Sequence, residues 1–132
     1  MAEFQAHRIE TPLKRVRGLG PAHSGTEHFW RQRLTAVAQI PLTLAFLVII
    51  LSVVGKGREA LVSSLSHPLV ALLVLLFIIT GVVHMRLGMQ VIIEDYVHGE
   101  GGKLALLILN TFFAIAVGLA CVLAVLKITF GA

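Results

Sequence analysis

With 132 residues, 57% of them hydrophobic, and a mean hydropathy of +0.90, the chain exposes too much apolar side chain to be a water-soluble domain. Its net charge of +4 does not mark a nucleic-acid binder, because the basic residues flank apolar stretches and form no patch interleaved with aromatics. The single cysteine, Cys121, excludes a cysteine metal motif and reads as a small core residue.

Residues 1–23 hold Pro12, Gly18, Gly20 and Pro21 among basic residues and show no apolar period, so this segment is expected to be a flexible or partner-bound arm. No apolar run precedes residue 34, and the first span is therefore expected to be a retained helix and not a cleaved leader. Glu3, Glu10 and Glu27 disfavour a mitochondrial transit sequence, which leaves a multi-pass protein of a bacterial inner membrane as the simpler reading.

Residues 24–132 are expected to form a three-helix transmembrane anchor. Ser24 followed by Glu27 fits a capping box, and Trp30 suits a membrane interface. The first span covers about 34–55, with Pro41 predicting a kink near Ile40 or a neighbouring helix. Gly55-Lys56-Gly57 ends it, and a short polar connection leads to His67-Pro68, where proline suits a helix start. The second span covers about 68–90, and its helical pattern continues through Gln90 to Tyr96 before His98-Gly99-Glu100-Gly101-Gly102 breaks it. The third covers about 104–126 and carries Asn110, Thr111 and Gly118. Each stretch exceeds the ~20 residues that crossing a bilayer needs. The fold class is an all-α membrane protein, up-down-up, and no loop is long enough to hide a soluble catalytic domain. If the N-terminus faces the cytoplasm, eight Lys and Arg lie on the inner side and three on the outer, which is the orientation the positive-inside rule selects.

His84, Asp95 and Tyr96 are the chemistry-bearing groups. An ionisable side chain at membrane depth costs roughly 2.5 to 3.5 kcal/mol on insertion scales, so it usually meets a partner or a cofactor. At 100° per residue His84 and Asp95 share a face about 16 Å apart along the axis, with Gly88 between them. Two readings fit the upper part: an imidazole ligand to haem iron beside a glycine that admits the porphyrin edge, or a histidine bonded to a carbonyl of the next helix. Two also fit the lower part. Asp95 and Tyr96 could serve a quinone as proton relay and hydrogen-bond donor, or be a solvated helix end with an interfacial tyrosine. Arg33 and Arg31 suit haem propionates or lipid phosphate. Arg86 lies about 200° round the helix from His84 and suits the interface, as does His28. The remaining histidines show no metal spacing.

The segment His84-Met85-Arg86-Leu87-Gly88-Met89-Gln90-Val91-Ile92-Ile93-Glu94-Asp95-Tyr96 closely resembles the signature of the smaller hydrophobic anchor subunit of succinate dehydrogenase. His28-Phe29-Trp30-Arg31-Gln32-Arg33-Leu34-Thr35-Ala36 is similar to that family's approach to its first helix. The resemblance covers residues 24 to about 130, and the ending Glu94-Asp95-Tyr96-Val97-His98 is similar to alphaproteobacterial and mitochondrial members. It implies that His84 is one axial ligand of a haem b whose second ligand is a histidine of the companion cytochrome b anchor. It implies that Tyr96 donates to a ubiquinone carbonyl with Asp95 holding or relaying protons, and that Arg33 pairs with a haem propionate. The implied partners are a flavoprotein subunit and an iron-sulfur subunit, since this chain has neither a dinucleotide fingerprint nor a cysteine cluster. On this reading it has no succinate-oxidising activity alone. The alternatives are the anchor of a fumarate reductase, a small proton-conducting transporter subunit, and a purely structural anchor.

Overall fold

The computed structural model describes residues 23–131; apart from His23, the expected arm lies outside the described residues. Every regular element among the described residues is helical: α1 (His23–Val53), α2 (Gly57–Ser66), α3 (Pro68–Tyr96) and α4 (Glu100–Phe130). Within α1, α3 and α4 lie three segments of 28, 29 and 31 residues that are long and apolar enough to cross a membrane. At 1.5 Å per residue each is over 40 Å long against a hydrocarbon core of about 30 Å, so their ends reach into the interfaces.

α1 starts one residue before Ser24, which puts Ser24 inside the first turn and not at the cap that the Ser24–Glu27 spacing suggests. The helix runs unbroken through Pro41. Proline removes one ladder donor, the one owed to Val37, and a membrane helix carries that loss because its other backbone pairs remain. α1 gives way to a turn at Gly55 and Gly57, with φ of 77° and 80°, left-handed values that glycine reaches without a Cβ clash.

The connection between the first two spans is not merely polar: it is helix α2. Leu61 and Leu65 stand four residues apart on one face, while Arg58 and Glu59 are exposed. Leu65 is buried with Val74 of α3 and Val125 of α4, and Phe46 and Ile49 of α1 pack beside them. A mixed charged and apolar ten-residue segment reads as loop when only long apolar runs are sought; its apolar stripe becomes visible at helical spacing. His67 then takes an extended conformation, φ −77° and ψ 121°, as the residue before a proline must, and Pro68 opens α3.

At the other end the glycine-rich break is shorter than its composition suggests. α4 begins at Glu100, so Gly101 and Gly102 lie in its first turn, where backbone donors face solvent and the Glu100 carboxylate complements the helix dipole. Lys103 Nζ donates to the carbonyl of Glu94 at 2.8 Å and so caps the end of α3.

α3 is the middle element. It packs on α1 along one side and on α4 along the other, α2 touches all three, and among the described residues the backbones of α1 and α4 do not approach each other closely. The α3–α4 seam closes on small groups: Ala114 is 1% exposed, and a Cβ built on Gly118 would stand 3.4 Å from Val82. Close backbone approach is what holds membrane helices together when lipid is as apolar as leucine. Buried Asn110 donates from Nδ2 to the Arg86 carbonyl at 3.0 Å, and Arg86 Nε donates to Thr111 Oγ1 at 3.3 Å. Asn110→Leu removes the first of these bonds and is expected to cost about 1 kcal/mol, read as a lowered melting temperature of the purified complex.

Candidate functional site

The polar groups of the first two spans meet in one seam. On α1, Gln32, Thr35 and Gln39 stand at spacings of three and four, so they share a face. On α3, Gly81, His84 and Gly88 are spaced three and four and do the same. The helices run antiparallel, and the two sets pair in reverse order. A Cβ built on Gly81 would lie 2.7 Å from Gln39 Nε2, and one built on Gly88 would lie 4.0 Å from Gln32 Nε2. Between them Thr35 Oγ1 is 3.1 Å from His84 Nδ1.

Each pairing has a local cause. Thr35 sits over its own helix, with Oγ1 2.9 Å from the Arg31 carbonyl and 3.0 Å from that of Gln32, the back-bonding rotamer that a helical threonine favours. Gln39 Nε2 reaches across the gap left by Gly81 and donates to the Phe77 carbonyl at 3.4 Å. Its Oε1 is buried without a partner among the described residues. The next turn of the seam is apolar, with Phe46 and Phe77 stacked at 4.4 Å and 11° between ring planes. Glycine at 81 therefore admits a glutamine from α1, a reason for it that the α3 sequence alone does not contain.

His84 is half-buried. Its Nδ1 meets Thr35, and among the described residues Nε2 has no hydrogen-bond partner. The helix continues about 18 Å beyond it to Tyr96, which puts the imidazole at membrane depth.

Asp95 lies on the same side of α3 as His84, one turn past Val91, and Tyr96 is turned about 100° from it. Both are exposed, Tyr96 at 78%, and neither side chain has a hydrogen bond among the described residues. The last turn that carries them is fastened by its neighbours: Gln90 Nε2 donates to Glu94 Oε1 at 2.8 Å, and Lys103 holds the Glu94 carbonyl.

The chain does not bring Arg33 beside His84. Arg33 is two residues from Thr35, about 200° round α1, and its guanidinium lies over the Phe29 ring at 5.1 Å. Arg31 is one turn from Thr35 and is paired with Glu27 at 2.6 Å. Arg86 faces α4, away from the His84 seam. His28 Nε2 is buried and unpartnered among the described residues. No group of three or more His, Cys, Asp or Glu side chains that could hold a metal ion occurs among the described residues, so a metal centre at His84 needs a ligand from elsewhere.

Sequence reasoning from the second span found His84 and passed over Thr35. The signal was present: three polar residues on one face of an otherwise apolar span, complementary to the Gly81-His84-Gly88 spacing when the spans are laid antiparallel.

A three-span membrane helix set with one imidazole in a polar seam, and a carboxylate and phenol exposed at the end of the same helix, defines a membrane subunit that works with other chains. The family model described as succinate dehydrogenase/fumarate reductase transmembrane subunit matches residues 7–125. The succinate dehydrogenase hydrophobic membrane anchor subunit of Paracoccus denitrificans is 38% identical over 125 residues, covering 95% of this chain and 96% of the relative. That of Rickettsia bellii is 31% identical, covering 86% and 90%, and the succinate dehydrogenase membrane anchor subunit of Reclinomonas americana is 33% identical, covering 71% and 81%. No solved structure matches the chain significantly. The chain belongs to the succinate dehydrogenase/fumarate reductase transmembrane subunit family. It is a multi-pass inner-membrane protein and a membrane anchor that associates with the other subunits of such a complex.

Proposed function

We propose that this chain anchors a succinate:quinone oxidoreductase and supplies one axial ligand of a haem b together with part of the ubiquinone-reduction site. The observation that carries this reading is His84: in a chain of this family, its imidazole is tied through Nδ1 while Nε2 is left without a partner among the described residues. The residues fit the group. Imidazole suits haem iron, and Nε2, on the side of the ring away from Thr35, has no hydrogen-bond partner among the described residues. A companion cytochrome b anchor supplies the second ligand, and flavoprotein and iron-sulfur subunits supply the electrons.

The haem, when bound, adds a one-electron store inside the bilayer. The chain's own residues do the rest. His84 fixes position and orientation. Arg33 is the cation for a propionate that extends round α1 from the His84 side, and Arg31, one turn from Thr35 and paired with Glu27 at the surface, is the other candidate for that role. Tyr96 offers a phenolic donor to a quinone carbonyl, and Asp95 beside it holds the proton that the reduced oxygen takes. Their exposure suits a site completed by partner subunits. Dehydrogenase is favoured over fumarate reductase because each relative named above is a succinate dehydrogenase anchor.

The test is a reduced-minus-oxidised spectrum of the complex purified through this chain, with quinone reduction assayed on the same sample. A b-type band and succinate-driven quinone reduction support the reading, and a complex without haem overturns the ligand role. The orientation that goes with it puts the N-terminus and the Asp95–Tyr96 end inside. Labelling with a membrane-impermeant thiol reagent in intact cells, in a Cys121→Ala background, is expected to reach Lys56→Cys and to spare Gly99→Cys; the opposite pattern inverts the topology.

A further inference from the structure

We infer that Thr35 is a positioning residue that sets the tautomer and the plane of the His84 imidazole, so that Nε2 presents a lone pair outward from the α1–α3 seam. The inference rests on the haem reading above and deepens it.

A threonine hydroxyl has one proton to give and two lone pairs with which to accept. Thr35 Oγ1 lies 2.9 Å from the Arg31 carbonyl and 3.0 Å from the Gln32 carbonyl, both in its own helix. Both are acceptors that can only receive. The proton therefore goes to this pair, and the contact of 3.1 Å to His84 is made by Nδ1–H donating to the oxygen. A neutral imidazole with hydrogen on Nδ1 carries its lone pair on Nε2.

The reverse arrangement spends the hydroxyl proton on Nδ1 and turns an Nε2–H outward, where no described residue accepts it. An orphaned N–H donor in an apolar setting costs more than a carbonyl with one unused lone pair. Threonine suits this task better than serine alone would suggest. Its β-branch restricts χ1 and its hydroxyl favours the back-bonding rotamer, so the oxygen is held in place before a ligand binds. Metal-ligating histidines generally donate their second ring N–H to such an outer partner, which fixes ring orientation and raises ligand basicity.

The seam supports this at both ends. Gln39 reaches into the space that Gly81 leaves, and the end of Gln32 stands 4.0 Å from where a Cβ on Gly88 would be, so glutamines of α1 flank the ring above and below. The polar face of α1 thus holds the ring from one side and leaves the ligating nitrogen on the other.

The experiment compares Thr35→Val, which keeps the shape and removes the hydroxyl, with Thr35→Ser, which keeps the hydroxyl, in the assembled complex. His84→Ala is carried alongside. Haem retention under competition by apo-myoglobin and the low-spin ferric signals in electron paramagnetic resonance are measured. Thr35→Val is expected to weaken haem binding by about 10- to 100-fold and to shift or broaden the ferric signals, with Thr35→Ser restoring both toward wild type. Wild-type retention and signals in Thr35→Val overturn the inference, and a loss confined to Thr35→Ser would assign the role to packing of the methyl group; equal losses in Thr35→Val and Thr35→Ser overturn it too, because the hydroxyl then fails to rescue. If His84→Ala loses haem while Thr35→Val does not, the inference falls and the ligand assignment stands. If His84→Ala leaves haem binding untouched, both fall.

Discussion

His84→Ala is expected to abolish or shift the b-type absorbance of the purified complex while the chain remains in the membrane. Among the described residues His84 is the histidine within the second span, and its own contribution to the fold is small. It makes one side-chain hydrogen bond, to Thr35, and such bonds between membrane helices average about 0.6 kcal/mol. Ala114, Gly118 and Asn110 hold the α3–α4 seam without it, and Leu65 and its neighbours hold the far end. Loss of haem is therefore separable from loss of fold. An unaltered spectrum and unaltered haem affinity in the alanine variant would remove His84 from the iron.

Tyr96→Phe is expected to slow succinate-driven quinone reduction by about 100-fold, the usual cost of deleting one hydrogen-bond donor aimed at a developing oxyanion. Succinate oxidation with an artificial acceptor, which takes electrons before they reach the membrane, stays at the wild-type level. The split follows from exposure. Tyr96 is 78% exposed at the end of α3 and its side chain has no hydrogen bond among the described residues, so removing its hydroxyl leaves the packing of this chain unchanged. Loss of both activities in step would show that the phenol serves assembly of the complex and not the quinone.

The spans were legible because hydrocarbon leaves few choices. Long uncharged stretches between charged flanks must be helices, and α1, α3 and α4 fall where those stretches lie. Their ends were less legible. Gly101 and Gly102 discourage helix by propensity, yet a first turn with a carboxylate at its start tolerates them. α2 was hidden because a short segment with Arg58 and Glu59 shows its apolar stripe only against the Val74 and Val125 that it covers. At the site, His84, Asp95 and Tyr96 stand out as polar groups in or beside an apolar run. Thr35 and Gln39 look like ordinary spacers until α1 is laid antiparallel to α3, because a pairwise relation between two helices is absent from either helix read alone. Arg33 illustrates the converse: proximity in sequence to Thr35 does not make it a neighbour of His84, since two residues turn a helix past its far side.

Because the backbones of α1 and α4 do not approach each other closely among the described residues, α3 stands between the other two spans. That changes what a substitution means. Outside the two seams and the patch beneath α2, a side chain such as Leu44, Leu72 or Phe112, each more than half exposed, is read by lipid or by another polypeptide and hardly at all by its own chain. Tolerance to change along these helices is therefore expected to follow the surfaces of the neighbours more than the packing of this chain.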